Sequence, residues 1–268
     1  MNFKIFKTAF VSLILSVTLF GNVVNAGVIK VGVVIGGNVY GTPSGQAIAD
    51  QLNDDTFFDF DASYLSVSAA TSVLSNFDAL VLGCTGSGCS GFTSDFMANA
   101  RSYLENGNGG IITTGWFNYG SNSFSSFMSD ADAITPISES QNYSYSSGLL
   151  TITQQHAITN GISDFTSTTS LWETSNSNDL GADVLGTIGG SSAIVVQESV
   201  GRSAYLGGLY SANSGYGTTG MRLGVEDQLL EQAVAWSAGV QSVPEPSTLA
   251  IFALGMIGLA SRRFKKQS

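Results

Sequence analysis

The chain contains two cysteines and one histidine, side chains that often supply a nucleophile and its base in enzymes. Cys84 and Cys89 lie in the stretch GCTGSGC, whose small residues allow the chain to bend back on itself. In an oxidising compartment this spacing favours a local disulfide. A reactive thiol at Cys84 is the alternative, and it would need a nearby base or cation that the sequence does not show. With only His156 elsewhere, two cysteines are too few for a zinc site, and no metal or cofactor is predicted.

Carboxylates offer a second kind of chemistry. Four aspartates lie close together in NDDTFFDFDAS, and Asp59 and Asp61 would share one face of a strand. A calcium site needs six to eight oxygen ligands and usually a glycine at the turn, so solvated carboxylates are favoured here. Glu173 and Glu198 are acids that a hydrolase could use, but the sequence does not place them in a common site.

Aromatic residues form a third candidate group. Trp116, Phe117 and Tyr119 follow a predicted buried strand, at the edge of the sheet where open α/β proteins bind ligands. With Trp172 and Tyr210 they could provide a platform for sugar rings. Packing in the core or under a lid is the alternative for the same side chains.

The elements that must position these residues alternate between strands and helices. The runs VIKVGVVI, FDALVLGC and GGIITTG predict buried strands, whereas TPSGQAIADQLND and TSDFMANARSYLENGNGG predict helices. Thr42 can cap the first helix, with Pro43 at its first helical position. This alternation predicts a mostly parallel sheet with right-handed crossovers, covered by helices on both faces.

After Gly120 the sequence becomes rich in Ser, Asn and Gly, with shorter strand-like runs. LLTITQ, DVLGTIG, AIVVQES and RSAYLGGLY predict an antiparallel extension, in which the last two form a hairpin at Val200-Gly201. GVEDQLLEQAVAWSAG predicts a final amphipathic helix. One α/β domain with an antiparallel extension accounts for the pattern.

The charge of this domain limits its partners. Residues 27–242 contain four of the ten basic residues and 19 of the 20 acidic residues, which gives them a formal net charge of −15. A surface so acidic repels phosphate groups, which argues against nucleic acid or anionic lipid as a partner. The stretch VVIGGNVYGTPSG also lacks the Lys-Ser/Thr ending of a phosphate-binding loop. The charge suits an extracellular protein or a weak binder of cations.

The first 26 residues have the pattern of a cleavable secretory signal. Lys4 and Lys7 precede an apolar run, and small residues follow at Val24 and Ala26. A buried N-terminal helix is the alternative. A secretory signal would be removed by signal peptidase and would deliver the domain to an oxidising compartment.

A second apolar run lies near the end of the chain, in SVPEPSTLAIFALGMIGLASRRFKKQS. Residues 247–261 would extend about 22 Å as a helix, which is short for a hydrocarbon core of about 30 Å. The basic residues after the run would stay on the cytoplasmic side and leave the domain outside. These predicted membrane-stop residues are Arg262, Arg263, Lys265 and Lys266. A plain membrane anchor is one interpretation.

This tail also resembles the PEP-CTERM sorting signal, in which Pro244-Glu245-Pro246, a brief apolar helix and a basic segment occur in this order. In that family, the signal is recognised by exosortase, an integral-membrane cysteine protease that is thought to cut near the motif. The resemblance implies a protein of Gram-negative bacteria that is anchored in the inner membrane facing the periplasm and then passes to the cell surface or beyond. It also implies exosortase as a partner, with exopolysaccharide as a possible second one.

Residues 28–239 resemble the class I glutamine amidotransferase-like superfamily, and within it the trehalose-utilisation-like branch. The matching pieces are, in order, KVGVVIGG, FDALVLG, SYLENGNGGIITTG, HAITNGISDF, AIVVQESVGRSAYLGGLY and AVAWSAG. The resemblance implies a flavodoxin-like or amidotransferase-like α/β fold, with a mostly parallel sheet flanked by helices and an antiparallel extension. A signal helix and a C-terminal transmembrane helix would complete the chain.

The same resemblance makes GGIITTGWFNYG the place to look for catalysis. In catalytic relatives the chain turns sharply after this strand and presents a cysteine nucleophile, and the trehalose-utilisation-like branch tends to show a histidine nearby. Here the turn is Gly115-Trp116-Phe117, which has neither. Because His156 has no visible nucleophile to serve, a packed or capping role is favoured for it. It is grouped with Trp116, Phe117 and Tyr119 as a possible ligand cleft.

No catalytic residue is therefore predicted. The leading hypothesis is an exported, surface-sorted protein whose domain has lost its nucleophile and has a binding or structural role. A secreted hydrolase or carbohydrate-active enzyme that uses acids such as Glu173 or Glu198 is the alternative, and an inert spacer is a third possibility. The predicted organisation is a signal peptide at residues 1–26, the α/β domain at 27–240 and the sorting segment at 243–268.

Overall fold

The structure, a computed structural model, describes residues 27–37, 41–54, 56–85, 89, 91–121, 128–138, 143–167, 172–210 and 221–240. The chain divides into two compact units, of which Val28–Ser242 is the larger. The predicted signal peptide and the predicted transmembrane helix lie outside the described residues, as do Pro244-Glu245-Pro246 and the basic residues Arg262, Arg263, Lys265 and Lys266. Within the described ranges, no helix combines the length and the apolar character needed to cross a membrane.

Five parallel strands form the centre of the fold. They are β1 (Ile29–Gly36), β2 (Phe60–Tyr64), β3 (Ala79–Cys84), β4 (Gly110–Thr114) and β11 (Arg202–Leu206), in the spatial order β2-β1-β3-β4-β11. Every residue of β3 and β4 is buried. Continuous apolar runs of this kind are typical of parallel strands that are covered on both faces.

Six helices flank the sheet in the described part of the chain. They are α1 (Gly41–Leu52), α2 (Thr71–Leu74), α3 (Ser94–Glu105), α4 (Phe117–Ser121), α5 (Met128–Asp132) and α6 (Gly224–Ser237). Helix α3 begins where the Thr93 hydroxyl accepts a hydrogen bond from the Phe96 backbone N–H at 3.1 Å. Its buried face consists of Phe96, Met97, Ala100, Tyr103 and Leu104.

The second half of the chain extends the sheet with antiparallel strands. These are β5 (Tyr143–Ser146), β6 (Leu149–Ile152), β7 (Phe165–Thr166), β8 (Trp172–Ser175), β9 (Asp183–Ile188) and β10 (Ser191–Glu198). Strand β10 pairs with β11 as the predicted hairpin, and β9, β6 and β7 follow outward. Strands β5 and β8 pair with each other and branch from β10. The predicted α/β fold is thus confirmed as a mixed sheet with flanking helices.

Candidate functional site

The chain turns sharply where β4 ends. Trp116 has a φ of 69°, and among the described residues it is the only non-glycine residue with a positive φ. This left-handed conformation costs a residue with a side chain about 1–2 kcal/mol. Helix α4 begins at the next residue, Phe117. The turn Gly115-Trp116-Phe117 is therefore an elbow between a buried strand and a helix, with Trp116 at its apex.

Close contacts hold this elbow from two sides. The Gly115 N–H donates to the Gly208 carbonyl at 2.9 Å, and a Cβ on Gly115 would overlap the carbonyl oxygen of Gly207. Cys84 and Cys89 are joined by a disulfide with their Cα atoms 4.9 Å apart, and the described residues include no free cysteine. The Cys89 sulfur lies 3.8 Å from the Trp116 carbonyl oxygen. The disulfide therefore packs against the elbow, and its sulfurs are not available as a thiol nucleophile.

A fully buried carboxylate receives the backbone N–H groups at the start of α4. The Asn118 N–H donates to Glu173 Oε2 at 3.1 Å, and the Tyr119 N–H donates to Glu173 Oε1 at 2.8 Å. The Tyr205 hydroxyl donates to Oε2 at 2.9 Å, and the Trp116 backbone N–H contributes a further hydrogen bond. Glu173 thus has donors around it, and a carboxylate suits the positive end of a helix.

This arrangement bears directly on acyl-transfer chemistry. Backbone N–H groups at the start of a helix are the kind of donor that stabilises an oxyanion in such enzymes. In this protein, the N–H groups of Asn118 and Tyr119 donate to Glu173 instead. A substrate carbonyl oxygen could use these donors only after displacing a buried carboxylate.

Burial raises the pKa of Glu173 from its ordinary value of 4.5 to about 7, although its hydrogen bonds favour the charged form. The Glu173 carboxyl group therefore binds a proton at a higher pH in the folded protein than in the unfolded chain. From Glu173 alone, the free energy of unfolding should rise as the pH falls through 7 and level off below about 4.5, a total gain of about 3 kcal/mol. This stability is lost again as the pH rises through 7.

We expect thermal melts at pH 8, 6.5 and 5 to detect this gain in the native protein. Glu173→Gln cannot titrate, so its melting temperature should lack the same component of the pH response. Subtracting the two series removes the contribution of the other acidic residues. The same pH response in both proteins would show that Glu173 does not take up a proton in this range.

Three tyrosines form a partly exposed group beside the elbow, here called the tyrosine cluster: Tyr119 from α4, and Tyr143 and Tyr145 from β5. The ring centroid of Tyr119 lies 5.2 Å from that of Tyr143 and 6.2 Å from that of Tyr145, and the centroids of Tyr143 and Tyr145 are 5.7 Å apart. The ring planes are inclined to one another by 60–78°. Tyr145 is 40% exposed and lies opposite Glu173 in the β5–β8 register.

His156 lies near the amino-terminal ends of the parallel strands, at the edge of the sheet opposite the elbow. The His156 backbone N–H donates to the Thr159 hydroxyl at 3.0 Å, and the ring Nδ1 accepts a hydrogen bond from the Ile158 backbone N–H at 3.3 Å. His156 therefore caps the short 3₁₀ helix Ala157–Thr159. Its ring packs edge-on against Trp236, with the centroids 5.2 Å apart, and Arg202 lies over the same tryptophan ring at 5.5 Å. Burial lowers the pKa of His156.

This position separates His156 from the other residues of the predicted cleft. Arg202 is the amino-terminal residue of β11, whereas Trp116 follows the carboxyl end of the neighbouring parallel strand β4. A five-residue strand is about 17 Å long, so the two ends of these strands form different surfaces. The structure thus brings Trp116, Phe117 and Tyr119 together at one edge and places His156 at the opposite one.

The predicted aromatic platform is mostly buried. Trp116 is 8% exposed, and Phe117, Trp172 and Tyr210 are completely inaccessible. Only Tyr119 of that set reaches the surface in part. Sequence reasoning missed its two partners on β5, although the alternation YSYS, with tyrosines two residues apart, was a signal that both share one face of a strand.

The other candidate acids do not join Glu173. Glu198 ends β10 and forms a salt bridge with Arg202 at 2.9 Å, at the edge of the sheet where His156 lies. Asp59 directly precedes β2 and Asp61 lies within it, and both residues are exposed. Among the residues that the structure describes, no three His, Cys, Asp or Glu side chains form a group that could hold a metal ion.

Comparison with known proteins assigns the tail and the fold. Residues 242–266 match the PEP-CTERM protein-sorting motif. No curated protein matches the chain. Among solved structures, the chain is similar to a putative ThuA-like protein from Parabacteroides merdae, with 15% identity, a TM-score of 0.54, and coverage of 82% of this chain and 94% of that one. A putative ThuA-like protein from Bacteroides uniformis is 14% identical, with a TM-score of 0.53 and coverage of 78% of this chain and 91% of that one. A glutamine amidotransferase is 14% identical, with a TM-score of 0.47 and coverage of 78% of this chain and 99% of that one.

The motif match confirms the resemblance of the tail to the PEP-CTERM sorting signal, and the two ThuA-like structures confirm the predicted α/β fold. The motif at residues 242–266 implies an exported protein that is sorted with the help of exosortase. The two ThuA-like structures have a similar α/β fold over most of the chain, and at this identity the likeness concerns the fold alone.

Proposed function

We propose that the chain is an envelope or extracellular-matrix protein whose α/β domain binds a partner without catalysing a reaction. One observation carries this proposal: the elbow presents Trp116 instead of a nucleophile, and the N–H groups that follow it donate to the carboxylate of Glu173. The two components that covalent acyl transfer needs, a nucleophile and free oxyanion donors, are therefore both replaced.

The remaining nucleophile and base candidates support the same view. Cys84 and Cys89 are tied up in their disulfide. His156 caps a 3₁₀ helix at the opposite edge of the sheet from Trp116, where its ring packs against Trp236. A base at that distance cannot take a proton from a group at the elbow, because proton transfer requires hydrogen-bond reach.

One observation favours an acid-based enzyme as the second candidate. A carboxyl group with a pKa near 7 is suited to act as a general acid at neutral pH, and Glu173 has such a pKa. However, Glu173 has no exposed surface, and Glu198 lies at the other edge of the sheet. Two carboxylates that flank one substrate bond, as in glycoside hydrolysis, are not available from this pair.

The proposed route to the envelope follows from the ends of the chain. A signal peptide at residues 1–26 would be removed by signal peptidase, and residues 243–268 would hold the protein in the inner membrane, with the domain at residues 27–240 facing the periplasm. Exosortase would then act near Pro244-Glu245-Pro246 and pass the protein to the surface or the extracellular matrix. There, exopolysaccharide is the proposed partner.

The absence of catalysis can be tested on the full chain purified in detergent. Hydrolysis of glutamine, an aryl ester and a panel of aryl glycosides should not exceed the rate in buffer for the native protein or for Glu173→Gln. A substrate that is hydrolysed by the native protein and not by Glu173→Gln would establish the acid-based enzyme. Hydrolysis by both would place the catalytic group elsewhere, and it too would refute the proposal.

The proposed route can be tested on the protein recovered from its native envelope. Mass spectrometry should find a chain that begins at Gly27, contains the Cys84–Cys89 disulfide and lacks the basic tail. In cells without exosortase, the tail should be retained. A mature protein with an intact tail in normal cells would show that the segment is a permanent anchor.

A further inference from the structure

We propose that the tyrosine cluster is a binding site for a polysaccharide that carries no net negative charge. The inference deepens the proposed function, because it assigns the binding role to Tyr119, Tyr143 and Tyr145 and specifies the charge of the ligand. Its first support is position. The cluster lies beside the elbow at the carboxyl end of the parallel strands, where open α/β sheets bind their ligands.

The exposure of these rings is the second support. Tyr145 is 40% exposed, although its ring contacts those of Tyr119 and Tyr143. Single exposed apolar side chains are normal on protein surfaces, whereas a contiguous aromatic group is a common mark of a binding site. Tyrosine suits such a site because its ring supplies a large contact area and its hydroxyl can hydrogen bond.

The polar groups around the rings indicate the chemistry of the ligand. On the face of β5 that carries Tyr143 and Tyr145, the cross-strand neighbours in β8 are Ser175 and Glu173, whereas Ser144, Ser146 and Thr174 lie on the opposite face. The only charged residue of either strand, Glu173, is completely buried. The tyrosines therefore have no aliphatic side chain opposite them in β8, and their own rings and hydroxyl groups match the C–H faces and hydroxyl groups of a sugar chain.

The geometry of the rings favours a chain of sugars over a single one. Their planes are inclined by 60–78°, so one sugar ring can lie flat against only one tyrosine. The other two rings can then contact the adjoining part of the same polymer. A ligand with several linked sugar units therefore uses all three tyrosines.

Electrostatics decides the charge of the ligand. Residues 27–242 have a formal net charge of −15. This field repels uronic acid or phosphate groups as they approach the cluster. Neutral sugars are unaffected, and amino sugars are attracted.

Three tetrasaccharides that differ mainly in charge test the proposal: cellotetraose, the glucosamine tetramer and tetragalacturonic acid. Each is titrated into the full chain in detergent, and binding is measured by saturation-transfer NMR on the sugar protons. We expect cellotetraose and the glucosamine tetramer to bind, and Tyr145→Ala to weaken both about tenfold. Tetragalacturonic acid should bind at least tenfold more weakly than cellotetraose in low salt, and this difference should shrink in high salt.

Phe57→Ala is the matched control, because Phe57 is also 40% exposed and lies elsewhere on the fold, where its N–H donates to Glu231 at 2.8 Å. It should leave binding unchanged, and thermal melts should show that Tyr145→Ala and a second variant, Tyr143→Ala, remain folded. Binding that survives both tyrosine substitutions would overturn the proposal, as would equal binding of the acidic tetramer in low salt.

Two further outcomes separate this inference from its premise. If no tetramer binds, the inference is wrong, and a change in sedimentation on Tyr145→Ala would then identify the cluster as a contact between copies of the chain. If the native protein hydrolyses cellotetraose, the non-catalytic function is wrong, while a loss of binding in Tyr145→Ala would still support the site.

Discussion

Glu173→Ala should lower the free energy of unfolding by about 3–5 kcal/mol at pH 7.5. The substitution removes the acceptor for the N–H groups of Asn118 and Tyr119 and for the Tyr205 hydroxyl, and Glu173 itself is completely buried. Each buried donor that loses its partner costs about 1–3 kcal/mol, and the missing side chain leaves a cavity as well.

Urea-induced unfolding of the purified protein measures this loss. Glu198→Ala is the control, because Glu198 is an exposed acid whose salt bridge with Arg202 is worth little, and its effect should stay within about 1 kcal/mol. Glu173→Gln should fall between the two, since an amide can accept some of the hydrogen bonds but turns its NH₂ group toward other donors. Equal stabilities of the Glu173→Ala and Glu198→Ala proteins would mean that the buried carboxylate does not hold the elbow.

Gly207→Ala should cost at least about 3 kcal/mol or prevent folding. A Cβ at this position would overlap the backbone carbonyl oxygen of Glu173 and lie 3.0 Å from its carbonyl carbon. The backbone cannot retreat, because the Glu173 N–H donates to the Gly207 carbonyl at 2.8 Å and the Gly207 N–H donates to the Ala193 carbonyl at 2.9 Å. The close approach is between main chains, which have no rotamers to change.

The matched control is Gly186→Ala, where the added Cβ would meet mainly the side-chain ends of Ile194 and Leu150. These side chains can shift, so a smaller cost of about 1 kcal/mol is expected. Soluble yield and the urea midpoint of both variants give the comparison. A Gly207→Ala protein as stable as Gly186→Ala would show that β8 and β11 can move apart at this point.

The sequence predicts the elements whose signals are local. Strands β1, β3 and β4 consist mostly of buried apolar residues, and α3 shows its buried face through the spacing of Phe96, Ala100, Tyr103 and Leu104. The hairpin of β10 and β11 is also readable, because two short strand-like runs flank the turn at Val200-Gly201. Short-range periodicity is enough for each of these.

The site depends on pairings that periodicity does not encode. Strand β8 has four residues, of which three are polar and all are buried, so WETS has no hydrophobic pattern that marks it as interior. Glu173 could be named as a candidate acid from its residue type, but its position under the elbow follows from the β5–β8 register and from a contact with Asn118, which is 55 residues away. The separation of His156 from Trp116 likewise follows from the parallel pairing of β4 and β11, which places them at opposite ends of these strands.

The left-handed backbone of Trp116 has a consequence for how such a protein can evolve. The elbow keeps this conformation without a nucleophile to display, since Gly115 and Glu173 impose it from either side. A single nucleotide change converts a tryptophan codon into a cysteine codon. The side chain at this position can therefore change from inert to reactive by one substitution, while the main chain that would present it stays in place.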